Sequence, residues 1–429
     1  MNWLVTWLVL ATVLALLLWG FARNERMYQF PFLIGVITFA FILPQIPSLA
    51  DDPFLPEGAY VRTISFTILC LAMCWVGWST NAKPYSFFRW SFDEKKLLVA
   101  AYVLSLTGAY FYFRLSRLPG DVSVGVQMSG APVIWLFFAR FMNYGLAIAA
   151  LCLARRFSWW TVLIIGIDMV FYLDRIVVTG KRAEAVELIV MFALAFWFYR
   201  GFVLPRTLVF IGMVVGMVMM SSMADYRDVT RANSAPVWED IGRIDIMANF
   251  DNLLKEGGPE MRNAVLRIYN TDQAMEFDYG LFHWNRLVFN YVPAQLVGDK
   301  LKESLRAELP SLGREYNPLT GTTETGMADA FSSFWYFGMF KFLLLSYVMH
   351  RIWISANTGE LSAQLVYILS IVPAMHAISH QTDWALMVWV HMLIFLLPTL
   401  ILCRAHSSAH PRFPFAVRGP ANLRLVASN

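Results

Sequence analysis

MNWLVTWLVLATVLALLLWG, residues 1–20, runs for twenty positions without a charged side chain. An α-helix rises about 1.5 Å per residue, so a run of this length spans the roughly 30 Å of bilayer hydrocarbon. No basic residues precede it and no small-residue cleavage site follows, so it reads as a retained membrane helix and not a signal peptide. Working outward, similar apolar segments recur at about 29–49, 61–80, 97–115, 132–153, 158–178, 184–200, 203–223, 327–351, 361–379 and 384–403. With 3–22 they make eleven expected spans. The composition agrees: 58% hydrophobic and 15% charged, with mean hydropathy +0.52, where a soluble chain of 429 residues carries far more charge.

One polar stretch, from Met223 to about Thr325, interrupts this pattern. The expected fold is therefore all-α, a polytopic integral-membrane helix bundle with one large, mainly helical extracytoplasmic loop domain. Its parts are a membrane bundle at 1–223, the loop domain at 224–326, membrane helices at 327–403 and a cytoplasmic tail at 404–429. In the loop domain, 238–256 places Ile241, Ile244, Met247, Phe250 and Leu254 on one helical stripe. A second helix is expected over 259–276, with Met261, Val265, Ile268 and Met275 on a face, and 281–292 reads as an interfacial helix. The Pro-, Gly- and Thr-rich run 309–326 reads as a loop. No internal repeat is visible.

Basic loops alternate along the chain: Arg23 and Arg26; Lys83, Arg89, Lys95 and Lys96; Arg155 and Arg156; Arg200 and Arg206; Arg351; then the tail. The intervening loops are acidic or neutral, at Asp51-Asp52, Gly120-Asp121 and 379–383. The positive-inside rule puts the basic set in the cytoplasm and the loop domain and N-terminus outside. That orientation fits a bacterial cytoplasmic (inner) membrane with the large loop facing the periplasm or exterior.

Against this rule, Arg114, Arg117, Arg175, Lys181 and Arg182 fall on the outer side, and Arg140 lies within the fifth span. A charge at that depth generally faces a bundle interior or a wet cavity. The loop domain adds Arg227, Arg231, Arg243, Arg262, Arg267 and Arg286. Cations gathered on one face point to an anionic partner, and the guanidinium fork suits phosphate. The competing reading is that they are snorkelling or solvated side chains, with Asp168 and Asp174 neutralising Arg140 or Arg175. A net charge of +4 is no nucleic-acid footprint.

His376 and His380 are spaced i, i+4, where they face one way, but no third ligand accompanies them, so no metal is expected. Glu324 and Asp329 stand where the polar stretch re-enters the membrane, as helix-capping carboxylates or as groups to orient an attacking hydroxyl. Cys70, Cys74, Cys152 and Cys403 lie in or beside apolar segments and read as packing residues. No phosphate-binding glycine loop, nucleotide signature or nucleophile elbow is present, and no cofactor is expected.

Asn290-Tyr291-Val292-Pro293 followed by Asp299-Lys300, then Ala328-Asp329-Ala330-Phe331-Ser332-Ser333-Phe334-Trp335-Tyr336-Phe337-Gly338, resembles the second half of Wzy-type bacterial oligosaccharide repeat-unit polymerases, the O-antigen polymerases. The turn Gly180-Lys181-Arg182-Ala183 is similar to a small-residue–Arg–Gly turn of the same family. The chain departs from the family pattern at Ala294, Leu301 and Ala183.

The resemblance implies a membrane glycosyltransferase. It would move a glycan from undecaprenyl pyrophosphate onto another lipid-linked repeat, in O-antigen or exopolysaccharide biosynthesis. The partners it implies are undecaprenyl-pyrophosphate-linked oligosaccharides and membrane lipid, with a chain-length regulator protein left open and no nucleic acid. On this reading Arg140, Arg175, Lys181, Arg182, Arg227, Arg231 and Arg286 hold pyrophosphate. Glu324, Asp329 or His380 activates the acceptor, and Trp284 and Tyr291 offer faces to sugars. An O-antigen ligase-like transferase and a lipid-linked glycan flippase or transporter are the alternatives.

Overall fold

The computed structural model describes residues 1–118, 131–231, 238–310 and 324–405. Among them there is no β-strand, only an isolated bridge between Phe92 and Arg404. The chain opens with α1 (Asn2–Ala22), α2 (Phe30–Ile37), α3 (Ala59–Ser79) and α4 (Glu94–Ser116). There follow α5 (Ala131–Ala139), α6 (Phe141–Arg155), α7 (Trp159–Leu173), α8 (Arg182–Arg200) and α9 (Arg206–Ser221). The polar stretch forms α10 (Met223–Arg231), α11 (Ile246–Glu256), α12 (Pro259–Ala274), α13 (Leu281–Tyr291), α14 (Ala294–Val297) and α15 (Asp299–Ser304). The chain closes with α16 (Gly326–Phe334), α17 (Met339–Asn357), α18 (Leu361–Met375), α19 (Asp383–His391) and α20 (Leu397–Leu402).

Six helical stretches are long and apolar enough to cross a membrane: Asn2–Ala22, Ala59–Ser79, Glu94–Ser116, Ala131–Arg155, Gly326–Asn357 and Asp383–Leu402. The bent pair α9–α10, with 64° between its halves, makes a seventh if taken as one span. Helices occupy the other expected segments too, but α2 and α18 are shorter, and α8 carries Arg182, Glu184 and Glu187 in its first turns. Local chemistry explains several boundaries. Asp93 caps α4 by accepting from the Lys95 N–H at 2.9 Å, and Gly201, at φ +63°, ends α8.

The core is a close packing of α3 against α17, α4 against α6, and α18 against α8 and α17. Glycines set these approaches. A Cβ on Gly77 would lie 2.4 Å from the Leu343 carbonyl oxygen, and one on Gly108 would lie 2.4 Å from the Met142 nitrogen. Cys70, Cys74, Cys152 and Cys403 are buried and free.

The ends of the bundle differ in chemistry. At one, the basic loops gather: Arg351 donates to the Lys83 carbonyl at 3.0 Å, and Arg155 pairs with Glu94 at 3.6 Å. At the other, the polar stretch rests on the acidic loop and the 376–382 turn. Arg262 pairs with Asp52 at 2.7 Å, and Arg286 pairs with Asp383 at 2.7 Å. Two details depart from the sequence reading. The helix expected over 238–256 starts only at Ile246, because Asp245 caps it by accepting from the Ala248 N–H at 3.0 Å. Met275 stands outside α12 at φ +52° and is exposed, so it does not extend the buried face of Met261, Val265 and Ile268.

Candidate functional site

The expected fifth span, Ala131–Arg155, is one helical stretch in which Arg140 stands as a single turn residue between α5 and α6. Its side chain lines a cavity of about 390 Å³, within the range of roughly 300–1,000 Å³ common for ligand sites. The cavity sits where α4, α6, α8 and α19 meet the first helices of the loop domain. Arg140, Arg175, Lys181, Arg182 and Arg227 all line it, as does His380. Five of the seven expected anion-binding residues, dispersed over 140–227, thus reach one space.

Each arrives by a local device. After α7 the backbone winds through one wide π turn, Asp174–Val178, which presents Arg175 inward. Gly180, at φ +61°, then reverses the chain into α8 and lets Arg227 and Tyr226 close to within 3.3 Å of where its Cβ would be. Arg182 begins α8, donates to the Met220 carbonyl at 3.3 Å and lies over the Phe41 ring. Arg227 comes from α10, past the 64° bend that redirects the chain.

The cations are not neutralised as Asp168 and Asp174 would have done. Asp168 is buried and accepts from Ser105 at 2.7 Å, while Asp174 is exposed. Arg175 instead pairs with Glu184 and donates to the Tyr112 hydroxyl. Glu187 accepts from Asn143 at 3.0 Å. Among the described residues, no hydrogen bond or ion pair engages Arg140. The cavity-lining side chains comprise five cations and the three carboxylates Glu184, Glu187 and Glu260. Fully ionised, they leave an excess of positive charge inside low-dielectric walls of Leu136, Leu369, Pro373 and Val388, which favours an anion.

The remaining predicted residues form a second cluster beside the first. Glu324 is ion-paired to Arg267 and accepts from the Gln381 amide at 2.6 Å. Asp329, fully buried, accepts from the Thr382 N–H at 2.9 Å and its hydroxyl at 2.5 Å. His283 and Lys341 lie 3.4 and 3.8 Å from the Asp329 carboxylate. Arg286 donates to Gln381 at 2.5 Å and pairs with Asp383. None of Glu324, Asp329 or Arg286 lines the cavity. Apart from Lys341, twelve positions from Asp329, their partners are separated by tens of residues in sequence, so spacing gave no sign that they serve each other.

Loss of Asp329 removes the nearest counter-charge from partly buried Lys341. Asp329→Ala is expected to destabilise the protein by about 3–5 kcal/mol. The check is a thermal melt in detergent, where an unchanged midpoint would contradict this account.

His380 does enter the cavity. Burial, with His376 and Arg182 nearby, holds its imidazole down to about 3, so it is neutral and weakly basic near pH 7. The two histidines pack ring to ring at 5.2 Å, and among the described residues no group of three metal-ligating side chains exists. Trp284 donates to the Leu305 carbonyl at 2.7 Å, and Tyr291 donates to the Met387 carbonyl at 2.5 Å. Both brace the loop domain and lie outside the cavity lining. The side chain of Arg231 lies outside the described residues.

Sequence reasoning missed Glu187 and His391, which also line the cavity. An ionisable residue inside an apolar helix was the available signal. It also missed Glu260, at the start of α12. No family model, curated protein or solved structure matches the chain.

Proposed function

We propose that the chain is a membrane glycosyltransferase that polymerises undecaprenyl-pyrophosphate-linked oligosaccharide repeat units in surface polysaccharide synthesis. The observation that carries this reading is the convergence of Arg140, Arg175, Lys181, Arg182 and Arg227 on one cavity where the loop domain meets the membrane helices. A lipid pyrophosphate is an anion delivered from the bilayer. It also brings its own leaving group, in keeping with a sequence that shows no nucleotide-binding loop. In this reading the eleven helical segments cross a bacterial cytoplasmic membrane, and the loop domain and cavity face outward.

Arg140, Arg182 and Arg227 hold the pyrophosphate and offset the charge that grows on it as the glycosidic bond breaks. Arg175 and Lys181, tied to Glu184, shape the wall behind them. Arg286 and Asp329 anchor the loop domain, in place of the substrate roles their positions in the sequence implied.

Deleting the gene in its own host and sizing the surface glycan tests the reading. Single repeats on the final acceptor, with full-length chains restored by the intact gene, are expected. Full-length polymer stranded on the lipid carrier would mean a ligase. Single repeats trapped on the inner leaflet would mean a transporter, and unchanged glycan would end the glycosyltransferase reading.

A further inference from the structure

Three carboxylates line the cavity, and they differ in what occupies them. Glu184 is bound to Arg175 and stands 4.0 Å from Lys181. Glu187 accepts from Asn143. Among the described residues, no other side chain hydrogen-bonds or ion-pairs with Glu260, whose carboxylate is met only by its own backbone N–H and the field of Arg182. The candidates first indicated by sequence are less suited. Glu324 and Asp329 are spent on partners outside the cavity, and His380 is a weak base.

The position of Glu260 is fixed by contacts between the start of α12 and the membrane helices. Gln45, buried at the end of the α2 segment, accepts from the Met261 N–H at 3.2 Å and so caps α12. A Cβ on Gly258 would lie 1.9 Å from the same Gln45 side chain, so only glycine lets the helix start this close. Two residues beyond Glu260, Arg262 pairs with Asp52 at 2.7 Å. The first turn of α12 is thus pinned to the membrane helices, with Glu260 aimed into the cavity beside Arg182.

We infer that Glu260 is the general base that activates the acceptor hydroxyl; this rests on the transferase reading above. The carboxylate takes the hydroxyl proton as the acceptor oxygen bonds to the anomeric carbon. The bond from that carbon to the phosphate oxygen breaks, and its electron pair leaves on the lipid pyrophosphate, held by Arg140, Arg182 and Arg227. Burial lifts the Glu260 carboxyl above its ordinary value, with Arg182 drawing it back, which brings its basicity nearer to neutral pH.

The test uses the full chain in proteoliposomes supplied with lipid-linked repeats extracted from its own host. Glu260→Gln is expected to lower turnover about 10²–10⁴-fold. It should leave calorimetric binding of inorganic pyrophosphate equal or tighter, since a negative charge is gone from the site. A rise of turnover with pH is expected in the wild type and should vanish in this variant, and Glu260→Asp should recover part of the rate. Glu276→Gln, at an exposed position, should behave as wild type.

Wild-type turnover in Glu260→Gln overturns the inference alone, as does loss of pyrophosphate binding to the same degree as turnover. A wild-type chain that transfers no glycan overturns the transferase reading, and this role with it.

Discussion

Arg182→Ala should weaken binding of inorganic pyrophosphate by roughly 10- to 150-fold, the equivalent of one charge-assisted hydrogen bond at about 1.5–3 kcal/mol. Glycan polymerisation should fall at least as far. The expectation follows from where Arg182 is held. It opens α8 directly after the left-handed Gly180, and it faces Arg227 from the loop domain across the cavity. The two charges disfavour one another, so an anion bound beside both is drawn by two cations at once. Arg182→Lys should recover little, because an ammonium cannot make the paired, planar contacts of a guanidinium. Titration calorimetry on the purified protein measures both. Wild-type affinity in Arg182→Ala would remove the anion site from this cavity.

Gly326→Ala should be the most damaging glycine-to-alanine change among the described residues. A Cβ there would sit 1.7 Å from the Ala377 carbonyl oxygen and 2.4 Å from that of His380. Both obstacles are backbone, and the Gly326 N–H itself donates to Ile378 at 3.2 Å, so neither side can yield by a rotamer change. Overpacking in a filled site costs about 1–3 kcal/mol, and more where backbone must move. The turn it would displace carries His380 to the cavity and hangs Gln381 and Thr382 on Glu324 and Asp329. The expected result is loss of monodisperse protein in detergent, or a depressed melting midpoint with anion binding impaired in whatever folds. Gly166→Ala, whose Cβ would meet nothing within 4 Å, is the matched control and should be silent.

Hydropathy located the six helices that are long and apolar enough to cross a membrane, because a bilayer demands length and apolarity together and both are written in the residues. Where a helix breaks was harder to read. Ala131–Arg155 looks continuous in sequence, yet Arg140 stands at a joint in it. The close approach of α6 to Gly108 of α4 is a tertiary constraint that no local pattern announces. The cations of the site were legible because they defied the charge rule on the side the sequence reading assigned to them. The carboxylates were not. Glu260 looks like any acidic residue at a helix start, stabilised by the helix dipole, and only the cavity sets it apart. Arg286, Glu324 and Asp329 had the right chemistry and the wrong neighbours. Ion pairing across 97 positions, as between Arg286 and Asp383, leaves no trace in spacing.

The hundred-odd polar residues between the two membrane sections look like a module that could be excised and studied in water. Their ion pairs argue otherwise. Arg262, Asp272 and Arg286 find their opposite charges in Asp52, Arg62 and Asp383 of the bundle, and His283 leans on the buried Asp329. Cutting the chain at both junctions would strand charges on each fragment. The soluble piece would lose the floor it is built on, and the bundle would be left with carboxylates facing no cation. The two parts are therefore expected to fold together, and truncation is a test of the whole molecule's stability, whichever half is removed.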